Sequence, residues 1–194
     1  AWSWHRACNI QWLPGSESEV IFNDREGDRF VSRILDVKSR SKRTMPGPVS
    51  YVSPNGRWAI AMDYRRLFHI KPETGYSGLE DPYKDVLAPD TTGIWNMDMA
   101  SGKRELIVSY SDMAQFPHEY GDFGDAIHSC NHLSIGPDSR RLLFLHKWNH
   151  PSLERPGSRM FTADPDGKNL HLVEPYGKTS HTSWKDSTHI LMWA

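Results

Sequence analysis

Short apolar runs that follow a tight turn recur along the chain. They lie at residues 20–22, 58–62 and 142–145, and a fourth begins at residue 189. Turn-forming Pro, Gly, Asn, Asp or Ser residues precede each run, and a further short segment with strand character precedes the turn. The runs are too short for helices and rich in β-branched or aromatic residues, so each repeat predicts strand, turn, strand.

A second hairpin follows each first one. Polar turns near residues 36–40, 98–103 and 164–168 each separate two further segments of strand character. Two successive hairpins make a four-stranded antiparallel meander, which is one blade of a β-propeller. The sequence therefore predicts an all-β fold, a partial β-propeller of about three and a half blades. Because so few blades cannot close a ring, either the natural protein is longer or another copy of the chain completes the ring, and we expect the first, a fragment of a longer protein.

The turn prolines set the expected blade boundaries. Pro14 and Pro54 are 40 residues apart, whereas Pro54 and Pro137 are 83 apart, so the second blade carries insertions. We predict one partial propeller domain over residues 1–194, with blades at about 8–46, 47–110 and 128–178 and the start of another at 179–194.

The insertions fall at residues 64–92 and 109–131, which are rich in Gly, Pro, Tyr and Asp. Long loops in compact domains are more often functional than structural. Residues 112–116 could form one helical turn, and no other segment has a helical pattern.

Composition narrows the classes of partner. The net charge is −1, so no field of one sign would attract nucleic acid or an anionic membrane surface. No apolar run is long enough to span a bilayer, which predicts a soluble protein, cytoplasmic or periplasmic. Cys8 and Cys130 have no Cys-x-x-Cys partner, which excludes a zinc knuckle. The sequence leaves the oligomeric state open.

Three of the ten histidines are candidate site residues. His132 and His181 precede the turn pattern of neighbouring blades, and equivalent repeat positions should face each other near the central channel. His146 ends the apolar strand of the third blade, with Arg159 on a neighbouring row. The alternative is that each histidine is an ordinary core or turn residue with a satisfied hydrogen bond.

Aromatic and basic residues suggest a sugar or carboxylate ligand. Trp148 and Tyr76 are candidate stacking platforms, since aromatic rings offer flat apolar faces to sugar rings. Arg65, Arg66 and Lys147 follow apolar strands and could pair with substrate carboxylates. The alternative for these cations is plain surface solvation.

Acidic residues in the second insertion could bind a cation. They are Glu119, Asp122 and Asp125, and their spacing matches no specific metal motif.

Residues 131–146, 158–170 and 180–184 together resemble the oligogalacturonate lyase family, and bacterial carbohydrate-associated propellers share this outline. The resemblance covers about residues 131–184, while the earlier blades match only as generic repeats. It implies a seven-bladed propeller that cleaves uronic-acid oligosaccharides by β-elimination. It also implies a divalent, manganese-like metal. By position, His181 matches a metal-binding histidine and His132 a histidine beside the sugar, and His146 and Arg159 also fall on matching positions.

Two departures qualify this resemblance. The family's catalytic arginine would fall at Gly93, and Lys147 replaces an acidic residue. We predict metal-assisted β-elimination on an oligosaccharide substrate, with His132 or His146 as the base. The alternative is a non-catalytic propeller that binds a glycan or a protein partner. A third possibility is a structural repeat whose histidines are incidental.

Overall fold

The computed structural model describes residues 1–117, 123, 125–151, 153–175 and 177–193. Within these residues the chain forms fourteen strands and two short helices. The strands build three four-stranded antiparallel sheets and one two-stranded sheet. The predicted all-β architecture of antiparallel propeller blades is confirmed. In each four-stranded sheet the spatial order follows the chain order, as expected for a meander.

Blade 1 is the regular one. Its strands are β1 (Gln11–Trp12), β2 (Glu19–Glu26), β3 (Arg29–Asp36) and β4 (Lys42–Met45). Consecutive residues are buried in both central strands, Val20 and Ile21 in β2 and Phe30 to Ser32 in β3, so both faces of this sheet are covered.

Blade 2 carries both helices. Its strands are β5 (Tyr51–Val52), β6 (Trp58–Met62), β7 (Gly93–Asp98) and β8 (Arg104–Ser109), with α1 (Tyr64–Ile70) after β6 and α2 (Tyr110–Gln115) after β8. Helix α2 covers the predicted helical turn and begins with a capping box between Ser109 and Asp112. Helix α1 was not predicted. It begins where the Asp63 side chain accepts hydrogen bonds from two main-chain N–H groups.

Blade 3 holds most of the candidate site residues. Its strands are β9 (Ile127–Ile135), β10 (Leu142–Asn149), β11 (Gly157–Ala163) and β12 (His171–Glu174). The two-stranded sheet, blade 4, consists of β13 (Thr182–Trp184) and β14 (Ile190–Met192). β1, β5, β9 and β13 are the first strands of their blades, the position that lines the central channel in propellers.

The two faces of blade 3 contact different neighbours. Phe144 and Phe161 pack into the large core shared with blade 2. Leu145 and Met160 pack on the other face, against Trp184 of blade 4. Because side chains alternate along a strand, the odd-numbered residues of β10 face blade 4 and the even-numbered residues face blade 2. Among the described residues, no helix is long and apolar enough to cross a membrane.

Candidate functional site

His132 lies at a β-bulge in β9. Leu143 pairs with Ser134, but Leu145 pairs with Asn131, so β9 carries one extra residue at this point. His132 has a left-handed φ of 49°, which costs about 1–2 kcal/mol for a non-glycine residue. Bulges are over-represented beside active sites, where they re-aim a side chain.

The bulge turns the His132 ring toward blade 4. The rings of His132 and His181 are in edge-to-face contact, with centroids 5.5 Å apart and planes at 70°. This is the juxtaposition that the repeat positions predicted. His181 is exposed, and its Nδ1 lies 2.9 Å from the Ser180 hydroxyl.

Several positive charges converge on His132. Burial lowers the pKa of His132 to about 4, and the charges of Arg6, Lys147, His181 and Lys71 lower it further. We call these five residues, His132 included, the cationic cluster. With its pKa lowered to about 4, the His132 imidazole is neutral at pH 7.

Lys147 is the half-buried member of the cationic cluster on β10. Its parity places it on the face of blade 3 toward blade 4, where Nζ donates to the Thr179 carbonyl at 3.5 Å. Burial, followed by the charge of Lys71, lowers the Lys147 pKa to about 8. Within the described part of the chain, the one ion pair in the cluster joins Lys71 to Glu73 at 3.7 Å, and both side chains are about half exposed.

His146 and Arg159 lie on the opposite face of blade 3 and are completely buried. His146 Nδ1 accepts from Arg159 Nε at 3.1 Å, and its Nε2 lies 2.8 Å from His128 Nδ1. Arg159 also donates to the carbonyls of Met113 and Phe116, at 2.6 and 3.1 Å, and burial lowers its pKa to about 10. This corrects the sequence prediction, because a buried pair that anchors the end of α2 is not placed to touch a substrate beside His132.

Arg66 and Tyr76 are also buried rather than exposed to a ligand. The Arg66 guanidinium is fully buried and pairs with the equally buried Asp81 at 3.3 Å. The Tyr76 ring stacks on Tyr64 with centroids 4.1 Å apart, and its hydroxyl accepts from Asn23 at 3.0 Å. Their predicted roles as exposed ligand contacts are therefore corrected to packing roles.

Arg65 and Trp148 have neighbours of their own. Arg65 is about one-third exposed and pairs with Asp63 at 3.3 Å, the residue that caps α1. Trp148 packs against Phe123, with centroids 5.0 Å apart, and its indole lies over Gly157, where a Cβ would overlap the ring. Neither residue contributes to the cationic cluster.

The predicted acidic cation site falls partly outside the described residues. Glu119 and Asp122 lie outside them, and Asp125 is exposed.

Gly93, the position at which the resemblance expects an arginine, cannot carry a side chain with this backbone. A Cβ there would overlap the Val108 carbonyl oxygen and would lie 2.8 Å from Ser109 Cα. Both obstacles are main-chain atoms of the neighbouring strand β8, so they cannot swing aside. The lack of an arginine at this position, already seen in the sequence, therefore follows from the way β7 pairs with β8.

The residues around His181 do not by themselves fit the implied metal. Within the described residues, no group of three or more His, Cys, Asp or Glu side chains could hold an ion. Manganese-like ions prefer several oxygen ligands, whereas His132 and His181 offer two imidazoles surrounded by cations.

Sequence reasoning missed Arg6 and Lys71. Arg6 lies in the segment before blade 1, outside every repeat, and Lys71 caps the C-terminal end of the unpredicted helix α1. No sequence signal linked either residue to His132, because both approach it only through tertiary packing.

Comparisons with known proteins show the fold and no family. No protein-family model matches the chain, and no curated protein matches it. Among solved structures, the chain is similar to the tricorn protease, with a TM-score of 0.54 and 13% identity over 90% of this chain. It is also similar to Pyrococcus horikoshii acylaminoacyl peptidase (TM-score 0.49, 11% identity, 91% of this chain) and to TolB from Acinetobacter baumannii (0.29, 9%, 86%).

The likeness to the tricorn protease supports the propeller fold and nothing finer. The chain spans only 14%, 26% and 43% of the three matched chains, respectively. Identity this low shows the fold alone, and only the first TM-score exceeds 0.5. None of the three names is that of a lyase.

Proposed function

We propose that the cationic cluster binds a uronic-acid oligosaccharide and that the protein cleaves it by β-elimination, as the resemblance to oligogalacturonate lyases implies. The observation that supports the proposal is the contact between the His132 and His181 rings at the bulge of β9, together with the positive charges of Arg6, Lys147 and Lys71 that lower the His132 pKa. Positively charged groups that are partly shielded from solvent repel one another, and a bound anionic ligand offsets that repulsion. A sugar carboxylate is such a ligand.

The cluster can supply two requirements of the elimination. Cations beside the carboxylate make the C5 proton more acidic by stabilising the negative charge that develops when the proton leaves. His132 is neutral at pH 7 and can accept that proton. The C5–H electron pair then forms the C4=C5 double bond, the C4–O bond breaks, and the departing oxygen takes a proton from solvent.

Substrate binding would also improve His132 as a base. A group with a pKa of about 4 is a weak base at neutral pH. A bound carboxylate offsets the neighbouring positive charges and raises the His132 pKa toward the neutral range. The base would therefore reach its working strength only when the substrate is in place.

The divalent, manganese-like metal enters this proposal only through the resemblance. His181 would be its ligand, and the other ligands would have to come from residues outside the described part of the chain. In the chemistry above, the positive charges of Lys147 and Lys71 act on the carboxylate without it. Removing divalent ions with a chelator therefore tests the metal separately from the elimination.

The test is an absorbance assay for the unsaturated uronide product with oligogalacturonate as substrate. We expect the protein to produce the absorbance and His132→Gln to lose it while still binding substrate. His171→Gln is the matched control, because His171 is exposed on β12 and lies outside the cluster. Equal rates for the two variants would refute His132 as the base.

The alternative is a propeller that binds the acidic glycan without cleaving it. The observation that favours it is Gly93, where the backbone leaves no room for the arginine of the lyases. Binding by calorimetry without any absorbance rise would support this alternative. No binding of oligogalacturonate would contradict both functions.

A further inference from the structure

A run of exposed cations lies on the outer rim of blade 1, where β3 turns into β4. Every residue from position 38 to position 43 is exposed, and all but the two serines are basic, namely Lys38, Arg40, Lys42 and Arg43. We call residues 38–43 the basic turn. In an antiparallel meander this turn lies at the end of the blade opposite to the one that carries both insertions in blade 2. The basic turn is therefore in a different blade from His132 and is not part of the cationic cluster.

Most cations of the basic turn have no carboxylate partner within the described part of the chain. Arg43 forms an ion pair with Glu19 on β2. No ion pair among the described residues involves Lys38, Arg40 or Lys42. Their charges are therefore available to an anionic partner.

Hydrogen bonds hold the main chain of the basic turn in one conformation. The Asp36 carboxylate accepts from the N–H groups of Lys38 and Ser39, at 2.9 and 2.7 Å, and from the Ser18 hydroxyl at 2.6 Å. A main-chain bond from Arg40 N to the Asp36 carbonyl, 2.9 Å long, closes the turn. The cations therefore project from a fixed main chain, and the oxygens of the neighbouring carboxylate are engaged by the turn itself.

The turns at the same place in the other blades differ in their charges. In blade 2, Lys103 follows the turn between β7 and β8 and pairs with Glu105 at 2.6 Å. In blade 3, Lys168 lies in the turn between β11 and β12 and pairs with Asp166 at 2.8 Å. The excess of unpaired positive charge is therefore a property of blade 1 and not of the repeat.

The basic turn leads directly into the edge of a sheet. β4 is the last strand of blade 1, and among the described residues no strand pairs with its outer side. An edge strand points every second N–H and C=O group outward, where an extended peptide can add as a further strand. Lys42 and Arg43 belong to β4 itself, so the charges and the outward main-chain groups lie in one segment. Lysine on an edge also deters pairing between like copies, so an occupant of this edge must bring negative charge.

We propose that the basic turn and the outer edge of β4 together bind an acidic peptide segment of a partner protein, which adds to blade 1 as a further strand. Carboxylates of the segment pair with Lys38, Arg40 and Lys42, while its main chain bonds to the edge of β4. A segment with an acidic residue at every second position presents these carboxylates on one face. A nucleic acid or a glycan has no peptide main chain to pair with the edge, so the edge favours a protein partner.

The experiment is fluorescence anisotropy of a short labelled peptide of alternating Glu and Val, titrated with the whole chain. We expect the peptide to bind, and we expect the affinity to fall by roughly 10-fold when three cations of the basic turn are replaced, because each exposed ion pair contributes little alone. The replacements are Lys38→Gln, Arg40→Gln and Lys42→Gln, combined in one variant.

A matched variant controls for the loss of net charge. It also removes two lysines and one arginine from exposed positions in or beside turns, but in blades 2 and 3, and it should bind the peptide as the unchanged protein does. Its replacements are Arg57→Gln, Lys103→Gln and Lys168→Gln. Equal affinities of the two triple variants, or no binding of the peptide to the unchanged protein, would overturn the proposal.

N-methylated peptides separate strand addition from attraction by charge alone. Two versions of the peptide, each methylated on one alternate set of main-chain nitrogens, keep every carboxylate. Because the N–H groups on one side of a strand face the edge, at least one version should lose most of its binding. If both versions bind as tightly as the unmodified peptide, strand addition is overturned. Single-stranded DNA that displaces the labelled peptide as readily as unlabelled peptide does would overturn the proposal in favour of a general polyanion surface.

Discussion

The guanidinium of Arg66 fastens the first insertion of blade 2 to blade 3, so its removal should destabilise the protein strongly. Its side chain is fully buried in the wall beside β9. It pairs with Asp81 at 3.3 Å and donates to main-chain carbonyls at 2.7 to 3.0 Å, those of His128, Tyr83, Val86 and Leu87. Methionine would keep much of the aliphatic bulk and none of the donors.

The size of the effect follows from the buried ion pair. The side chains of Arg66 and Asp81 are both 0% exposed, so Arg66→Met leaves the Asp81 carboxylate buried without its cation. Breaking one partner of such a pair costs about 3–5 kcal/mol. The carbonyls of Val86 and Leu87 can recruit water at the surface, so we add nothing for them. We therefore expect the free energy of unfolding to fall by about 3–5 kcal/mol.

Urea unfolding of Arg66→Met beside Arg65→Met tests this reasoning. Arg65 is the neighbouring arginine with a partly exposed ion pair, and its loss should cost no more than about 1 kcal/mol. Adding Asp81→Asn to Arg66→Met should recover part of the loss, because no buried charge then lacks a partner. Equal losses for Arg65→Met and Arg66→Met would refute the buried-pair argument. A folded Arg66→Met with unchanged ligand affinity would support the packing role.

Three further predictions concern the cluster and its surroundings. The pKa of His132 is about 4 in the folded state and about 6.5 in the unfolded chain, so the free energy of unfolding should fall as the pH drops through this window. The urea midpoint of His132→Gln should therefore fall less between pH 7 and pH 5 than that of the unchanged protein. Lys147→Met should raise the thermal midpoint, because it removes a half-buried ammonium whose one hydrogen bond within the described residues, to the Thr179 carbonyl, is 3.5 Å long. It should also weaken oligogalacturonate binding, and a lower thermal midpoint would contradict this reasoning. Gly93→Ala should cost about 1–3 kcal/mol in urea unfolding, because its Cβ would overlap the Val108 carbonyl; unchanged stability would contradict the overlap.

The sheets could be predicted from the sequence repeats, whereas helix α1 in the first insertion could not. Turn residues and short apolar runs mark β2, β6 and β10 because each strand must bury one face between blades. Helix α1 gave no comparable signal. It follows β6 with only Asp63 between them, and seven residues are too few to show a helical period.

The candidate site was predictable only where repeat symmetry applies. His132 and His181 occupy equivalent positions, and their contact follows from that equivalence. The bulge at His132 carries no sequence signature, although it decides where the ring points. Sequence also cannot tell that the donors of Arg66 and Arg159 are used by carbonyls of the two insertions, because tertiary packing sets the path of those loops.

The cationic cluster argues against the reading in which the histidines are incidental. His132 sits in a left-handed conformation, and among the described residues the half-buried Lys147 has one hydrogen bond, a long one to the Thr179 carbonyl. Each feature is locally unfavourable, and simple substitutions would relieve it. Strain and unpaired charge gathered at one place are typical of a functional site, where the local cost is offset by the rest of the fold. In the proposed carboxylate site the strained His132 and the half-buried Lys147 would both serve the ligand, whereas a structural repeat requires neither.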